Sequence, residues 1–250
     1  MFTLDKLTVS FRNKVLIDSI SLRLQSGHIS VIMGPNGSGK STLCKAIMGH
    51  PDYSTKGKIL FDNMDISKMN TSERAKLGMF MTFQEPPPVD GVNLMNIISK
   101  MNSGSDLILL KNKVVCDAKE LGLGEGSVDR SVNVGFSGGE KKRSELLQLL
   151  HSNPKLVLLD EIDSGLDVDG FKVLVRILLK LKAQGATILV ITHQTRLLKC
   201  LSPDRVFLMK EGKLFGHGGN EVIDEIDKNG FKCMESQCCA KCEGCNGCIS

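Results

Sequence analysis

The sequence predicts an α/β fold, and three observations carry that prediction. Residues 29–33, Ile-Ser-Val-Ile-Met, read as a buried strand that runs into residues 34–42, which fit the phosphate-binding pattern G-x-x-x-x-G-K-[ST]. From residue 156 onward, strand-like runs at 156–160, 187–192 and 205–209 alternate with a helical stretch at 170–183, the pattern of a parallel sheet. Between these halves Pro86-Pro87-Pro88 breaks the chain, and helical periodicity follows through Leu94, Ile97 and Ile98 and later through Leu146, Leu147, Leu149 and Leu150. The expected organisation is one domain over residues 1–232, with a helical lobe inserted at about 84–150 and a cysteine-rich tail at 233–250.

Taken in order, Phe2, Leu4, Leu7 and Val9, then Ile20, Leu22 and Leu24, alternate with polar positions as half-buried strands do, and are expected to build an antiparallel β lobe. A helix is expected over 40–49 and a strand over 57–61. A further strand at 79–83 leads to Gln84 at the entry to the helical lobe. Lys210-Glu211-Gly212-Lys213 reads as a hairpin turn.

The phosphate loop comprises Gly34, Pro35, Asn36, Gly37, Ser38, Gly39, Lys40, Ser41 and Thr42. Its glycines let backbone N–H groups point inward at phosphate, and the helix beginning near Lys40 adds its partial positive charge. Lys40 is placed to neutralise the β- and γ-phosphates of ATP, and the Ser41 hydroxyl to ligate Mg²⁺. Asp160 and Glu161 end the apolar strand Leu156–Leu159: one carboxylate there can hold the Mg²⁺ shell while the other takes a proton from attacking water. A pair of acids capping a strand at the surface would look the same in isolation. Gln84 is placed to sense the γ-phosphate and Mg²⁺, and His193 follows a strand whose carboxyl end faces a nucleotide crevice in this kind of fold. Each alone is also what an ordinary strand end carries. Ser137-x-x-Glu140 is a capping box, and a helix start with Gly138 and Gly139 beside Ser137 is an anion site as well. With no second triphosphate loop in the chain, that site would serve the nucleotide of a partner subunit.

Composition narrows the class. The 250 residues are 41% hydrophobic and 24% charged, ordinary for a globular protein. A formal charge of +4, with 28 acids balancing the bases, gives no basis for nucleic-acid binding. No apolar run approaches the roughly 18 residues of a membrane span. A strand pattern beginning almost at Met1 leaves no room for a signal or transit peptide, so a cytoplasmic protein without direct membrane insertion is expected.

Together these motifs resemble the ATP-binding cassette superfamily over nearly all of residues 1–230. The resemblance implies that family's fold: a P-loop, RecA-like core with a mixed sheet, an N-terminal antiparallel β lobe and an inserted helical lobe. Residues 130–143, Arg-Ser-Val-Asn-Val-Gly-Phe-Ser-Gly-Gly-Glu-Lys-Lys-Arg, and 160–167, Asp-Glu-Ile-Asp-Ser-Gly-Leu-Asp, resemble more narrowly the SufC family, soluble ATPases of an iron–sulfur cluster assembly system. Residues 33–40 and 83–86 agree with it. This implies that Gln84 is the Q-loop glutamine, Glu161 the general base, Asp167 the D-loop aspartate and His193 the switch histidine. Phe11 would stack on adenine. It also implies MgATP hydrolysis driving scaffold subunits of the SufB/SufD type, and a transient ATP-dependent dimer of ATPase copies. A nucleotide-binding subunit of a membrane transporter is the competing expectation, and a metal-buffering protein a third.

The tail departs from the pattern. Of nine cysteines, Cys233, Cys238, Cys239, Cys242, Cys245 and Cys248 crowd the last eighteen residues. Cys239, Cys242, Cys245 and Cys248 stand at three-residue spacing, which resembles iron–sulfur ligation without the proline that often follows the last ligand. Zinc²⁺ (Zn2+) more often shows two separated pairs. An iron–sulfur cluster, zinc or an unliganded tail remain the alternatives.

Overall fold

The structure is a computed structural model and describes residues 1–192, 195–226 and 228. Strands β1 (Phe2–Phe11), β2 (Lys14–Leu24), β4 (Ser54–Phe61) and β5 (Met64–Asp65) form an antiparallel sheet in the order β2-β1-β4-β5. Arg12 and Asn13 turn β1 into β2 with φ of 45° and 65°, the left-handed pair that a tight hairpin of matching twist requires.

The central sheet has six strands in the order β12-β11-β3-β10-β9-β6. They are β3 (Ile29–Met33), β6 (Met79–Met81), β9 (Leu156–Asp160), β10 (Thr187–Ile191), β11 (Arg205–Lys210) and β12 (Lys213–Gly218). All neighbours pair in parallel except β11 with β12, joined by the expected turn at Glu211-Gly212. The sheet is therefore mixed. β3, β9 and β10 are buried at every position, which is why they read as near-continuous apolar runs. Alternate residues serve two cores. Leu156, Leu158, Leu189 and Ile191 pack towards the antiparallel sheet and helix α1 (Lys40–Ile47). Val157, Leu159, Ile188 and Val190 pack on the other face with α6 (Val168–Ala183), α7 (Thr195–Leu201) and the inserted lobe. Each such fully buried aliphatic side chain contributes on the order of 2 kcal/mol of transfer free energy.

The inserted lobe holds α3 (Leu94–Met101), α4 (Leu107–Glu120) and α5 (Gly138–Ser152), capped by Asn93, Asp106 and Ser137. Asn153 ends α5 at φ 44°, ahead of Pro154. The short α2 (Thr71–Lys76) lies before the lobe.

Several boundaries differ from those read in the sequence. The helix after the phosphate loop stops at Ile47, and the strand expected at 79–83 stops at Met81. Beyond Met81 the Thr82 amide still donates to Leu158 O, but the Phe83 amide turns to the Glu145 carboxylate, so the ladder ends. The lobe is also not wholly helical: β7 (Val89–Asn93) pairs antiparallel with β8 (Ser131–Val132). The triple proline disfavours helix before it and leaves the following chain extended.

Candidate active site

The strands β3, β6, β9 and β10 point the same way, so their carboxyl ends, with the residues that follow, lie along one edge of the sheet. In open α/β sheets that edge is where ligands sit.

The phosphate loop follows β3 directly. At Gly34 a Cβ would overlap the Met209 carbonyl of β11, so only glycine allows the loop to run beside that strand. Gly39 caps α1 at φ 104° with no side-chain hydrogen bond, leaving the first N–H groups of α1 for an anion. Lys40 is buried inside the loop, its Nζ donating to Gly34 O and Pro35 O, both at 2.9 Å, and lying 3.5 Å from Ser38 Oγ. Burial lowers its pKa, while the Glu161 and Asp160 carboxylates oppose that shift. The ammonium is thus held by weak neutral acceptors close to two carboxylates, where an incoming phosphate would bind it more strongly.

At the end of β9, Asp160 is fully buried. Its Oδ1 accepts the Ser41 hydroxyl at 2.9 Å, its backbone N–H donates to Thr82 Oγ1 at 3.2 Å, and its Oδ2 makes no hydrogen bond. Burial raises its pKa, against the Ser41 hydroxyl that favours the charged form. A hydroxyl and a carboxylate with one oxygen lacking a hydrogen-bond donor, side by side, are the hard oxygen ligands that Mg²⁺ takes. Ser41 and Asp160 therefore fit the ion, whose chemistry here would be neutralising phosphate charge.

Glu161 sits in the left-handed region at φ 51°, which costs a non-glycine residue about 1 kcal/mol or more. Its N–H donates to Ile191 O at 3.0 Å and its carbonyl accepts Ser164 Oγ at 2.8 Å, so the neighbouring strand and turn hold it there. The Gln84 amide Nε2 donates to Glu161 Oε2 at 2.8 Å, joining two side chains that stand 77 positions apart in the chain.

Ser137 is the cap of α5: its Oγ accepts the Glu140 N–H at 3.3 Å, and its own N–H donates to Glu140 Oε2 at 2.8 Å. Gly138 and Gly139 open the helix. A Cβ at Gly139 would come within 3.7 Å of Gly165 O, so the start of α5 lies beside the loop that leads to Asp167. Asp167 caps α6 by accepting the Gly170 N–H at 2.8 Å and pairs with Arg143 of α5 at 2.5 Å.

Residues 17–164 of the chain match the family described as ABC transporter. The chain belongs to that family. It is an ATPase of the ATP-binding cassette kind, with the fold expected from its motifs. "Vegetative protein 296" of Bacillus subtilis is 37% identical to it, the match covering 94% of this chain and 93% of that one. A "probable ABC transporter ATP-binding protein" of Streptococcus pyogenes is 40% identical, over 91% of this chain and 92% of that one. Among solved structures, the dimeric post-hydrolysis state of an ATP-binding cassette bound to ADP and phosphate superposes with a TM-score of 0.75. It covers 88% of this chain and 99% of that one at 22% identity, and so shows the fold alone.

Within this cassette, Phe11 closes β1 and is half-buried. Its ring lies 5.9 Å from that of Tyr53 at a tilt, with the Arg12 guanidinium 5.2 Å from its centroid. Tyr53 escaped the sequence reading because an isolated aromatic 42 positions away in the chain gives no signal of the pairing. The same holds for Thr82, Lys142, Arg143 and Glu145, whose partners lie in distant segments. His193 falls outside the described residues, as do Cys233, Cys238, Cys239, Cys242, Cys245 and Cys248. Among the described residues Cys44 is buried, Cys116 and Cys200 are exposed, and no cluster of three or more acidic, His or Cys side chains could hold a metal.

Proposed function

We propose that this cassette hydrolyses MgATP between two copies of itself and uses the cycle to move a scaffold that assembles iron–sulfur clusters. The observation that carries the scaffold reading is the run of residues 130–143 and 160–167, which resembles the SufC family through the signature helix and the acidic strand end together. In this reading Glu161 is the general base, Gln84 and the Ser41–Asp160 pair serve the γ-phosphate and Mg²⁺, and Asp167 and His193 complete the site. Phe11 carries the adenine, with Tyr53 behind it. Ser137, Gly138 and Gly139 address the γ-phosphate held by the other copy, as the dimer seen for the related cassette supports.

An apolar groove of about 310 Å³ supports coupling to a partner: Phe80, Met81, Phe83, Pro87, Val89 and Ile97 are in its wall. Phe83 is 46% exposed there and immediately precedes Gln84. A hydrophobic side chain of a SufB/SufD-type subunit pressed into it would touch the segment that carries Gln84.

Copurification from a detergent-free anaerobic lysate tests the proposal. Recovery with soluble scaffold subunits is expected. Recovery only with membranes would favour the second reading, a transporter's ATP-binding subunit, which the name of the Streptococcus pyogenes relative supports. No described helix is long and apolar enough to cross a membrane, and either reading accommodates that.

The cysteine tail extends the proposal: Cys239, Cys242, Cys245 and Cys248 are assigned to an iron–sulfur cluster or zinc. Ordering 18 residues without an apolar pattern needs ligand bonds to offset lost chain entropy. Anaerobic reconstitution with iron and sulfide should give absorbance near roughly 400 nm, characteristic of thiolate-bound clusters. Truncation after Lys232 should abolish it and leave ATPase rates near those of the full chain. Loss of ATPase activity in a folded truncation would show instead that the tail belongs to the motor.

A further inference from the structure

Helix α5 does more than present Ser137. Lys142 and Glu145, one and two turns further along, are each only 5% exposed. Lys142 Nζ donates to Phe83 O at 2.9 Å and to Gln84 O at 2.7 Å, and Glu145 Oε1 accepts the Phe83 N–H at 2.7 Å. Three backbone groups of two adjacent residues are thereby tied to one helix, across 58 to 62 positions of sequence.

Packing does not require this arrangement. A buried ammonium and carboxylate are costly to desolvate, and apolar residues of similar volume often stabilise a core better. Burial lowers the Lys142 pKa and raises that of Glu145, and one buried oxygen of Glu145, Oε2, makes no hydrogen bond. What the two charges do is fix the main chain that bears Gln84. The Gln84 amide in turn meets Glu161 Oε2 at 2.8 Å.

We propose that Lys142 and Glu145 are positioning residues for hydrolysis. They set the backbone of Phe83 and Gln84, and through it the Gln84 amide on Glu161, so a displacement of α5 at its Ser137 end is felt at the base. This rests on the reading of Glu161 as general base. A hydrogen bond lost at Phe83 frees a backbone that must otherwise hold the amide in place, and misplacement of order 1 Å can cost a hundredfold in rate.

The test uses the full chain, with kcat for MgATP and the dissociation constant of a fluorescent ATP analogue measured on the same samples. Lys142→Met and Glu145→Leu should each lower kcat about tenfold or more, with nucleotide affinity changed less than about twofold. Glu145→Gln, which keeps an oxygen for the Phe83 amide, should restore most of the rate. In a Gln84→Ala background, Lys142→Met should cost less than about twofold further, since the side-chain amide it positions has gone. Should Glu145→Leu fold poorly, Lys142→Met carries the same test with the Glu145–Phe83 bond intact. An unchanged kcat in folded variants, or a full Lys142→Met loss on top of Gln84→Ala, would overturn the proposal. Failure of the underlying reading is seen separately, as a Glu161→Gln chain that turns over normally.

Discussion

At the phosphate-loop edge of the central sheet the constraints belong to the backbone, whereas along α5 they belong to side chains reaching across the molecule. Gly34 passes the Met209 carbonyl where no Cβ fits, Gly39 turns at φ 104°, and Lys40 is held by carbonyls of its own loop. Along α5, Lys142, Arg143 and Glu145 fasten the helix to the Gln84 segment and to Asp167. The first arrangement suits a site that must bind the same phosphates in every cycle. The second suits a connector, because it ties a helix of the inserted lobe directly to the Gln84 segment and to Asp167. A rigid cradle and a side-chain-fastened lever are different mechanical parts, and they should fail differently.

The largest effect should come from breaking the cradle. Lys40→Ala removes the fixed cation of the loop and the clamp on its carbonyls. ATP hydrolysis should fall by at least about a hundredfold and nucleotide affinity should weaken as well. Isothermal titration with ATP alongside a phosphate-release assay checks both; unaltered affinity would mean that Lys40 contributes only to the transition state.

Glu161→Gln should separate the two functions of that edge. Hydrolysis should drop by roughly a hundredfold or more, the usual worth of a general base, while ATP stays bound because Ser41 and Asp160 are intact. ATP retained on the protein after gel filtration, without conversion to ADP, is the expected reading. Turnover near the unmodified rate would remove Glu161 from the role.

Mixing chains asks whether cradle and signature act across two copies. A Lys40→Ala chain paired with a Ser137→Arg chain places both lesions in one composite site and none in the other, whereas each variant alone is damaged in both. Activity should reappear in the mixture above the sum of the two separate samples. No recovery, with hetero-association demonstrated by pull-down of differently tagged chains, would argue against shared sites.

The contrast also accounts for what could be read in the sequence. Residues 34–42 were legible because their constraint is local: glycines, a lysine and a hydroxyl must stand at fixed spacing after a strand. Asp160 and Glu161 were legible as the end of an apolar run, and Ser137 as half of a capping box. The α/β core followed from fully buried strands that left near-continuous apolar runs. The ties from Lys142 and Glu145 to Phe83 were not legible, since charged residues on a helix read as solvent-facing until the fold brings a strand end against them. Nor was the left-handed Glu161, whose strain depends on Ile191 and Ser164 holding it. The β7–β8 pair escaped because Val89–Asn93 and Ser131–Val132 are short, their paired residues lie 38 to 43 positions apart, and they lack strict alternation.

The smallest effect sharpens the comparison through pH. Burial raises the Glu145 pKa from 4.5 to about 7, opposed by the Phe83 N–H bond and by the Lys142 charge. Lys142 itself faces Asp160, Asp163 and Glu161. With its folded pKa above the unfolded one, the native state binds the proton more tightly. This group's contribution to stability is therefore full below about pH 4.5 and is lost as pH climbs to about 7. Glu145→Gln keeps the acceptor for Phe83 and removes the titration. Relative to the unmodified chain it should gain stability between pH 5 and roughly 7.5, by about 1–3 kcal/mol in total, and change no further above that. Urea unfolding across the same pH range measures it. A difference independent of pH would mean that Glu145 is already charged at pH 5, and that the clamp on Phe83 rests on a full ion pair with Lys142.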